Sequence, residues 1–433
     1  MKYEPLNSEL FKLNRTRFTR AMKPKSIAIF HSNDMMPRNG DAYHDFRQNS
    51  DLFGLCGLDQ EETVIVLFPD CIKEKFREVA FIRETNDHIK VWEGYKYTKE
   101  EARDVSGIET IYWTSDMDHI LNELILMAET IYINTNENDK FSSEVPSRDA
   151  RFTEELKRRY PAHNFERSQL ILKQLAMIKS KHEVNAIQKA CDITKDAFER
   201  VLRFVQPGVA EYEIEAEIIH EFIRQRATGH AYHPIIASGK NACILHYGDN
   251  NQVCKDGDVI LMDFGAEYAN YNADLTRSIP VNGQFTDRQR RVYNAVLSSM
   301  RFAKTMLVPG TNMEDYNKEV GKFIEGQLLD LSLLDKTDIK NQNPDYPAYK
   351  KYFMHGTSHH LGLDVHDLGD RYAPMQAGMV FTCEPGIYIP EESLGIRLEN
   401  DILVTDSGPI DLMATIPLEA DEIEIFMNDT ILV

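Results

Sequence analysis

An α/β domain over residues 1–170, followed by a second, internally repeated domain over residues 171–433, is the architecture this sequence predicts. Three observations predict it. Short β-branched or aromatic runs alternate with helical stretches up to about residue 170. A capping box, Ser180-Lys181-His182-Glu183, then opens a long amphipathic segment. Beyond it, two Gly-bounded apolar runs, each ending in an acid, recur 121 residues apart.

In the first domain the expected strands are Ser26–Phe30, Thr63–Phe68, Val79–Ile82, Ile89–Trp92, Thr110–Trp113 and Ile131–Asn134, with a helix around Ile120–Glu129. In the second, Ile187, Ala190, Cys191, Thr194, Ala197, Phe198, Val201, Leu202 and Val205 recur at spacings of three and four, and the helix stops at Pro207-Gly208. A further helix carries Ile214, Ile218, Phe222 and Ile223. Another begins after Thr286 and runs toward Pro309-Gly310. The two Pro-Gly stops resemble each other. So do Gly257-Asp-Val-Ile-Leu-Met-Asp263-Phe-Gly265 and Gly378-Met-Val-Phe-Thr-Cys-Glu384-Pro-Gly386. Asp263 maps onto Glu384, His246 onto His366 at an offset of 120, and Asp274 loosely onto Glu399 at 125. Chance similarity of Gly-bounded strands is the alternative. Aligning the glycines also aligns acids and a histidine, which favours a duplicated half-site with ligands converging between the halves.

Composition excludes several classes. The 433 residues have room for two or three domains at about 150 residues each. Lys plus Arg is 49 against 69 Asp plus Glu, a formal charge of −20, so general nucleic-acid binding is not expected. Apolar runs such as Thr63–Phe68 fall far short of the ~20 residues of a spanning helix. The opening MKYEPLNSELFKLNRTRFTR has no apolar h-region, so no secretory signal is expected. Cys56, Cys71, Cys191, Cys243, Cys254 and Cys383 form no CxxC pair and read as reduced, packed thiols of a cytoplasmic protein.

The chemistry concentrates in the second domain. Val259–Met262 runs directly into Asp263, and Asp274 precedes a returning strand, Leu275–Ile279. A hairpin turning at Tyr268–Ala269 would set the two acids opposite each other, Cβ atoms about 5 Å apart. Such a pair repels unless protonated or metal-bound; a turn-capping Asp is the plainer alternative. Glu384 ends Met379–Cys383, and Glu399 shares a strand face with Arg397. A solvated Arg–Glu face would explain the second of these on its own. His355, His359, His360 and His366 fall within twelve positions, and His246 adds a fifth imidazole. Gly356 stands where HExxH needs Glu, so the zinc-protease helix is excluded. Four carboxylates with imidazoles and no thiolate suit hard divalent ions such as manganese or cobalt. They carry more charge than one ion needs. A pair about 3.5–4 Å apart, activating water near neutral pH, balances it better. Asp263-Phe264-Gly265 spells DFG but has no Gly-rich loop or HRD beside it, and neither a P-loop nor GxSxG is present.

These residues resemble the pita-bread metallopeptidases, which include methionine aminopeptidase, prolidase and Xaa-Pro aminopeptidase. Met262-Asp263-Phe264-Gly265-Ala266, Asn272-Ala273-Asp274-Leu275-Thr276-Arg277, His355-Gly356-Thr357-Ser358-His359, Cys383-Glu384-Pro385-Gly386 and Arg397-Leu398-Glu399 stand in family order over about 260 residues. The resemblance implies an α+β pita-bread fold with a pseudo-twofold repeat. It implies Asp263, Asp274, His359, Glu384 and Glu399 as ligands of two divalent ions, manganese first, cobalt or zinc also compatible. Arg38-Asn39-Gly40-Asp41 and Phe46-Arg47-Gln48-Asn49-Ser50-Asp51-Leu52-Phe53-Gly54 resemble the creatinase-type amino-terminal domain of Xaa-Pro aminopeptidases. The long form argues against methionine aminopeptidase.

The implied reaction is hydrolysis of the bond between an N-terminal residue and a penultimate proline. Glu384 would act as general base, with His246 and His366 donating to the oxyanion and leaving group. Arg397 would hold its neighbouring carboxylates, and His355, Tyr388 and Asp41 would contact substrate. Proline makes a tertiary amide without an N–H, so a pocket must grip the ring instead. The implied partners are peptides with proline second and copies of the chain itself, as a dimer or tetramer, with neither nucleic acid nor membrane. Prolidase, acting on dipeptides, is the nearest alternative. A creatinase-like hydrolase or a binding module would lack ligands that this chain retains.

Overall fold

The computed structural model describes residues 3–138 and 143–429. They form two compact units, Tyr3–Ala176 and the residues from Met177 onward.

The first unit is built on a six-stranded mixed sheet. Its order is Thr110–Trp113, Glu78–Ile82, Val64–Leu67, Ser26–His31, Thr130–Ile133 and Asn164–Arg167. Ser26–His31 pairs antiparallel with Val64–Leu67 and parallel with Thr130–Ile133. Both central strands are buried along their whole length, as their unbroken β-branched and apolar runs require. One expected strand fails. Residues Asp87–Glu93 are helical, not extended. The Asn86 side chain caps the backbone N–H groups of His88 and Ile89, and Gly94 at φ 77 ends the turn. Val91 and Trp92 stay about four-fifths exposed, so no packing rewards the extended form that their β-propensity favours.

The second unit repeats one plan. Helices Lys181–Phe204 and Glu211–Arg224 precede a three-stranded antiparallel sheet of Ile235–Ser238, Val259–Phe264 and Leu275–Pro280. Helices Asp287–Thr305 and Met313–Asp330 precede the sheet of Val380–Cys383, Asn400–Leu403 and Ile410–Asp411, beside the hairpin Gly386–Ile389/Leu394–Arg397. Ser180 and Glu183 form the reciprocal cap that starts the first long helix, whose buried face is the three-and-four stripe from Ile187 to Leu202.

The expected hairpin register is corrected by two residues. The turn centres on Ala269 and Asn270, both at positive φ (51° and 63°), as a two-residue turn of the right hand demands. Asn tolerates that region, which moves the turn one residue along the chain. Asp263 therefore faces Thr276, and Asp274 lies diagonally from it. Gly265 sits in the break between the paired stretches, where a Cβ would lie 1.7 Å from the Ala273 carbonyl oxygen. Only glycine allows the strands to close there.

Candidate metal centre

The acids converge despite the shifted register. Asp263, at the end of Val259–Phe264, and Asp274, entering Leu275–Pro280, each place one oxygen 2.5 Å from the Tyr232 hydroxyl. That hydroxyl owns one proton and can give it to one acid at a time. Ligand atoms of Asp274, His359 and Glu399 lie within 4.8 Å of one another. His359 Nε2 stands 3.4 Å from Asp274 Oδ2 and 3.8 Å from Glu384 Oε1. Its Nδ1 is 2.9 Å from the His360 carbonyl oxygen, which fixes the ring and leaves Nε2 toward the acids.

The backbone holds this set from several directions. The Glu384 N–H donates to the Thr357 carbonyl, and the Thr382 N–H to that of His359. Thus the strand ending in Glu384 is stitched to the histidine loop. Glu399 accepts a 2.6 Å hydrogen bond from Thr276 Oγ1, whose oxygen accepts in turn from Arg397 Nε at 3.1 Å. Buried Arg277 donates to the carbonyls of Thr276 and Glu399 and locks the two half-sites' strands together. Asp401, fully buried, accepts the Asp274 N–H at 3.1 Å and the Cys191 thiol at 3.4 Å.

Electrostatics make the cluster costly without cations. Burial pushes the Glu399 carboxyl far above the ordinary carboxylate range, and Asp274 and Glu384 push it further. Burial raises Asp263 as well, against the Arg397 guanidinium. It lifts Glu384 to about 7, opposed by His359 and Arg397. Burial works against a charged His359, yet its hydrogen bond to Asp274 and the charge of Glu384 raise it to about 9. Arg397, bonded at 2.6 Å to Asp263, is the one guanidinium bonded to these four carboxylates among the described residues. Four buried carboxyls crowded around one guanidinium and one imidazole ionise together only with more positive charge, which divalent cations supply, and the oxygen-rich donor set suits them.

A second chain of contacts runs from Arg397. Its Nη1 donates to the Tyr388 hydroxyl at 2.9 Å, and that hydroxyl lies 2.8 Å from His355 Nε2. His355 Nδ1 is 2.8 Å from the Gly356 carbonyl. The sequence of donors assigns Nδ1–H to the carbonyl and leaves Nε2 to accept from Tyr388. Burial, then the Arg397 charge, drives His355 down to about 3, so it stays neutral. Tyr388 has no exposed surface. It stands behind His355, with its hydroxyl bonded to that ring. His366 is exposed, with its ring 4.3 Å from that of His359. His246 is exposed too, close enough for its charge to bear on His355. Asp41 belongs to the first unit, at the exposed turn between Pro37–Asn39 and Ala42–Tyr43, and is not among the residues gathered here. Tyr232, Thr276 and Asp401 escaped the sequence analysis. No spacing marks a lone Tyr-His-Pro or a strand Thr as part of a cluster.

Arg397→Met is expected to destabilise the metal-free protein by about 3–5 kcal/mol, because it strands Asp263 as an unpaired buried carboxylate. Urea denaturation in chelator measures this, and an unchanged midpoint would contradict it.

Comparison with known proteins places the chain in a family. Residues 185–406 match the model of metallopeptidase family M24, and residues 11–132 match the aminopeptidase P N-terminal domain. The chain is 34% identical to the Xaa-Pro aminopeptidase of Haemophilus influenzae and 32% identical to that of Escherichia coli, with 98% of both chains covered in each case. Among solved structures it superimposes on Pseudomonas aeruginosa aminopeptidase PepP with a TM-score of 0.87 at 32% identity, covering 99% of each chain. Aminopeptidase P from E. coli with the inhibitor Pro-Leu gives 0.87 at 31% identity, covering 98% of this chain and 99% of that one.

Proposed function

The chain belongs to metallopeptidase family M24 and is a metal-dependent Xaa-Pro aminopeptidase, and from that premise we propose which of its residues do the work. Asp263, Asp274, His359, Glu384 and Glu399 hold two divalent ions, manganese by preference. The observation that carries this is the convergence of Asp274, His359 and Glu399 donor atoms within 4.8 Å, with Asp263 and Glu384 alongside. Bound ions supply Lewis acidity and an acidified water.

The protein's own groups do the rest. Glu384, beside the bound ions, takes a proton from water and returns it as general base. Exposed His366 and His246 donate hydrogen bonds where negative charge develops on the scissile carbonyl and where the proline nitrogen leaves. Neutral His355, steered by Tyr388 and Arg397, presents a ring edge to the substrate. Arg397 keeps Asp263 ionised and in place. The substrate's free amine pairs with the acids, which confines cleavage to the first bond.

The test is hydrolysis of Gly-Pro and of a Gly-Pro-containing tripeptide, with chelator and manganese add-back. Tripeptide cleavage between Gly and Pro, abolished by chelator and restored by manganese, is the expected result. Cleavage confined to the dipeptide would make the enzyme a prolidase. Restoration by cobalt or zinc alone would reassign the metal.

No described helix is long and apolar enough to cross a membrane. Six unpaired cysteines, five of them buried, support a reducing, cytoplasmic setting. The dimer or tetramer is to be tested by light scattering.

A further inference from the structure

We propose that the N-terminal unit carries a ligand site of its own, for a small organic carboxylate with an apolar body, between helices Met117–Met127 and Arg148–Arg159. A cavity of about 260 Å³ opens there. That is slightly below the ~300–1,000 Å³ of drug-sized sites, so the occupant is small. Buried Leu121, Ile125 and Leu156 and half-buried Phe152 line it on the apolar side.

The polar side is built around His31. This residue is only 2% exposed, is one of those lining the cavity, and has the Phe152 ring packed 4.3 Å from its own. Its Nδ1 lies 2.9 Å from Asp149 Oδ1. Asp149 is held by Asn134 Nδ2 at 3.3 Å, and Asn134 Oδ1 accepts from Ser168 Oγ at 2.6 Å and Gln169 Nε2 at 3.1 Å. A buried polar chain of this kind fixes the ring's direction. The other ring nitrogen, Nε2, has no protein partner among the described residues.

Arg148 supplies the positive charge, and Asp118 at the cavity's other side a negative one. The other two arginines of the same wall are neutralised, Arg151 by a fork on Asp34 at 2.9 Å and Arg159 by Glu155 at 3.0 Å. Arg148 has no carboxylate partner among the described residues. Its one hydrogen bond, 3.3 Å long, goes to Ser32 Oγ, the residue after His31. A guanidinium has five N–H donors in one plane, so most of its capacity is unspent. An unpaired guanidinium and a fixed imidazole above an apolar floor match a carboxylate that accepts from both while its body lies on Phe152 and Leu121. A structural His31–Asp149 pair alone would not account for Arg148, which has no carboxylate partner among the described residues.

The site stands apart from the peptidase reading, and so does its test. The probe is 3-phenylpropionate, titrated calorimetrically into the metal-loaded full chain. The controls are 3-phenylpropanamide, which has the body without the charge, and acetate, which has the charge without the body. Binding of 3-phenylpropionate at least about tenfold tighter than either control is expected. Arg148→Met should weaken it about tenfold or more, the loss expected of a charged hydrogen bond. Met117→Trp, which fills the cavity from its rim, should weaken it too. Circular dichroism melting shows that both variants are folded. No detectable heat, or equal affinity in wild type and Arg148→Met, overturns the proposal. The second result would place the carboxylate at the metal centre instead.

Discussion

Glu384→Gln is expected to fold normally and to lose about 10²–10⁴-fold in kcat on a Xaa-Pro tripeptide, the range that a positioned acid–base group contributes. Burial lifts this carboxyl to about 7, while His359 and Arg397 pull it back. These are the surroundings of the metal-free protein; with ions bound, the same carboxylate stands where it can accept a proton from water and pass it on. Gln keeps the size and the backbone bond to the Thr357 carbonyl but can take up no proton. The fold should not suffer, because the neutral amide removes one of four mutually repelling charges. The measurement is kcat together with metal content per chain. Full activity would remove Glu384 from the reaction. Lost metal alongside lost activity would make it a ligand only.

Much of this was legible before any coordinates. Asp263 and Glu384 end apolar runs bounded by glycines at matching places, and a repeat of that kind survives errors in local detail. The hairpin shows how. Its turn lies one residue beyond Tyr268–Ala269, because Asn270 adopts the left-handed backbone that the turn needs. The pairing slipped by two, yet side chains alternate with period two, so both acids stayed on the same side. Exposed Val91 and Trp92 misled for the opposite reason. β-propensity describes a half-buried pleated surface, and that segment has none. Tyr232 and Thr276 were illegible because they bond the acids across the fold, over 31 and 42 positions for the tyrosine and 123 for the threonine. Asp401 hid among ordinary strand residues until burial and its bond to the Asp274 N–H set it apart.

The metal-free enzyme is expected to lose stability as pH rises, and the metal-loaded enzyme is not. Consider the sign for each group. Glu384 moves from 4.5 to about 7 on folding, and Glu399 and Asp263 also move up, all through burial first. An acid with a raised folded pKa keeps its proton longer in the native state than in the unfolded one. The unfolded state thus sheds protons first as pH climbs past 4.5, and ionisation pulls the equilibrium toward it up to the folded value. His359, raised to about 9, acts in the same direction, its stabilising charge being lost as pH passes that value. Glu384 alone contributes on the order of 3 kcal/mol to the slope, a sizeable share of a typical domain's stability. Divalent ions reverse the balance, since they bind the ionised acids of the native state, adding about 2.7 kcal/mol at a hundred times Kd. Melting in chelator at about pH 5 and about pH 8, with and without manganese, measures both effects. A chelated protein whose Tm is flat or rises over that interval would mean that these carboxylates are not crowded together in the metal-free state.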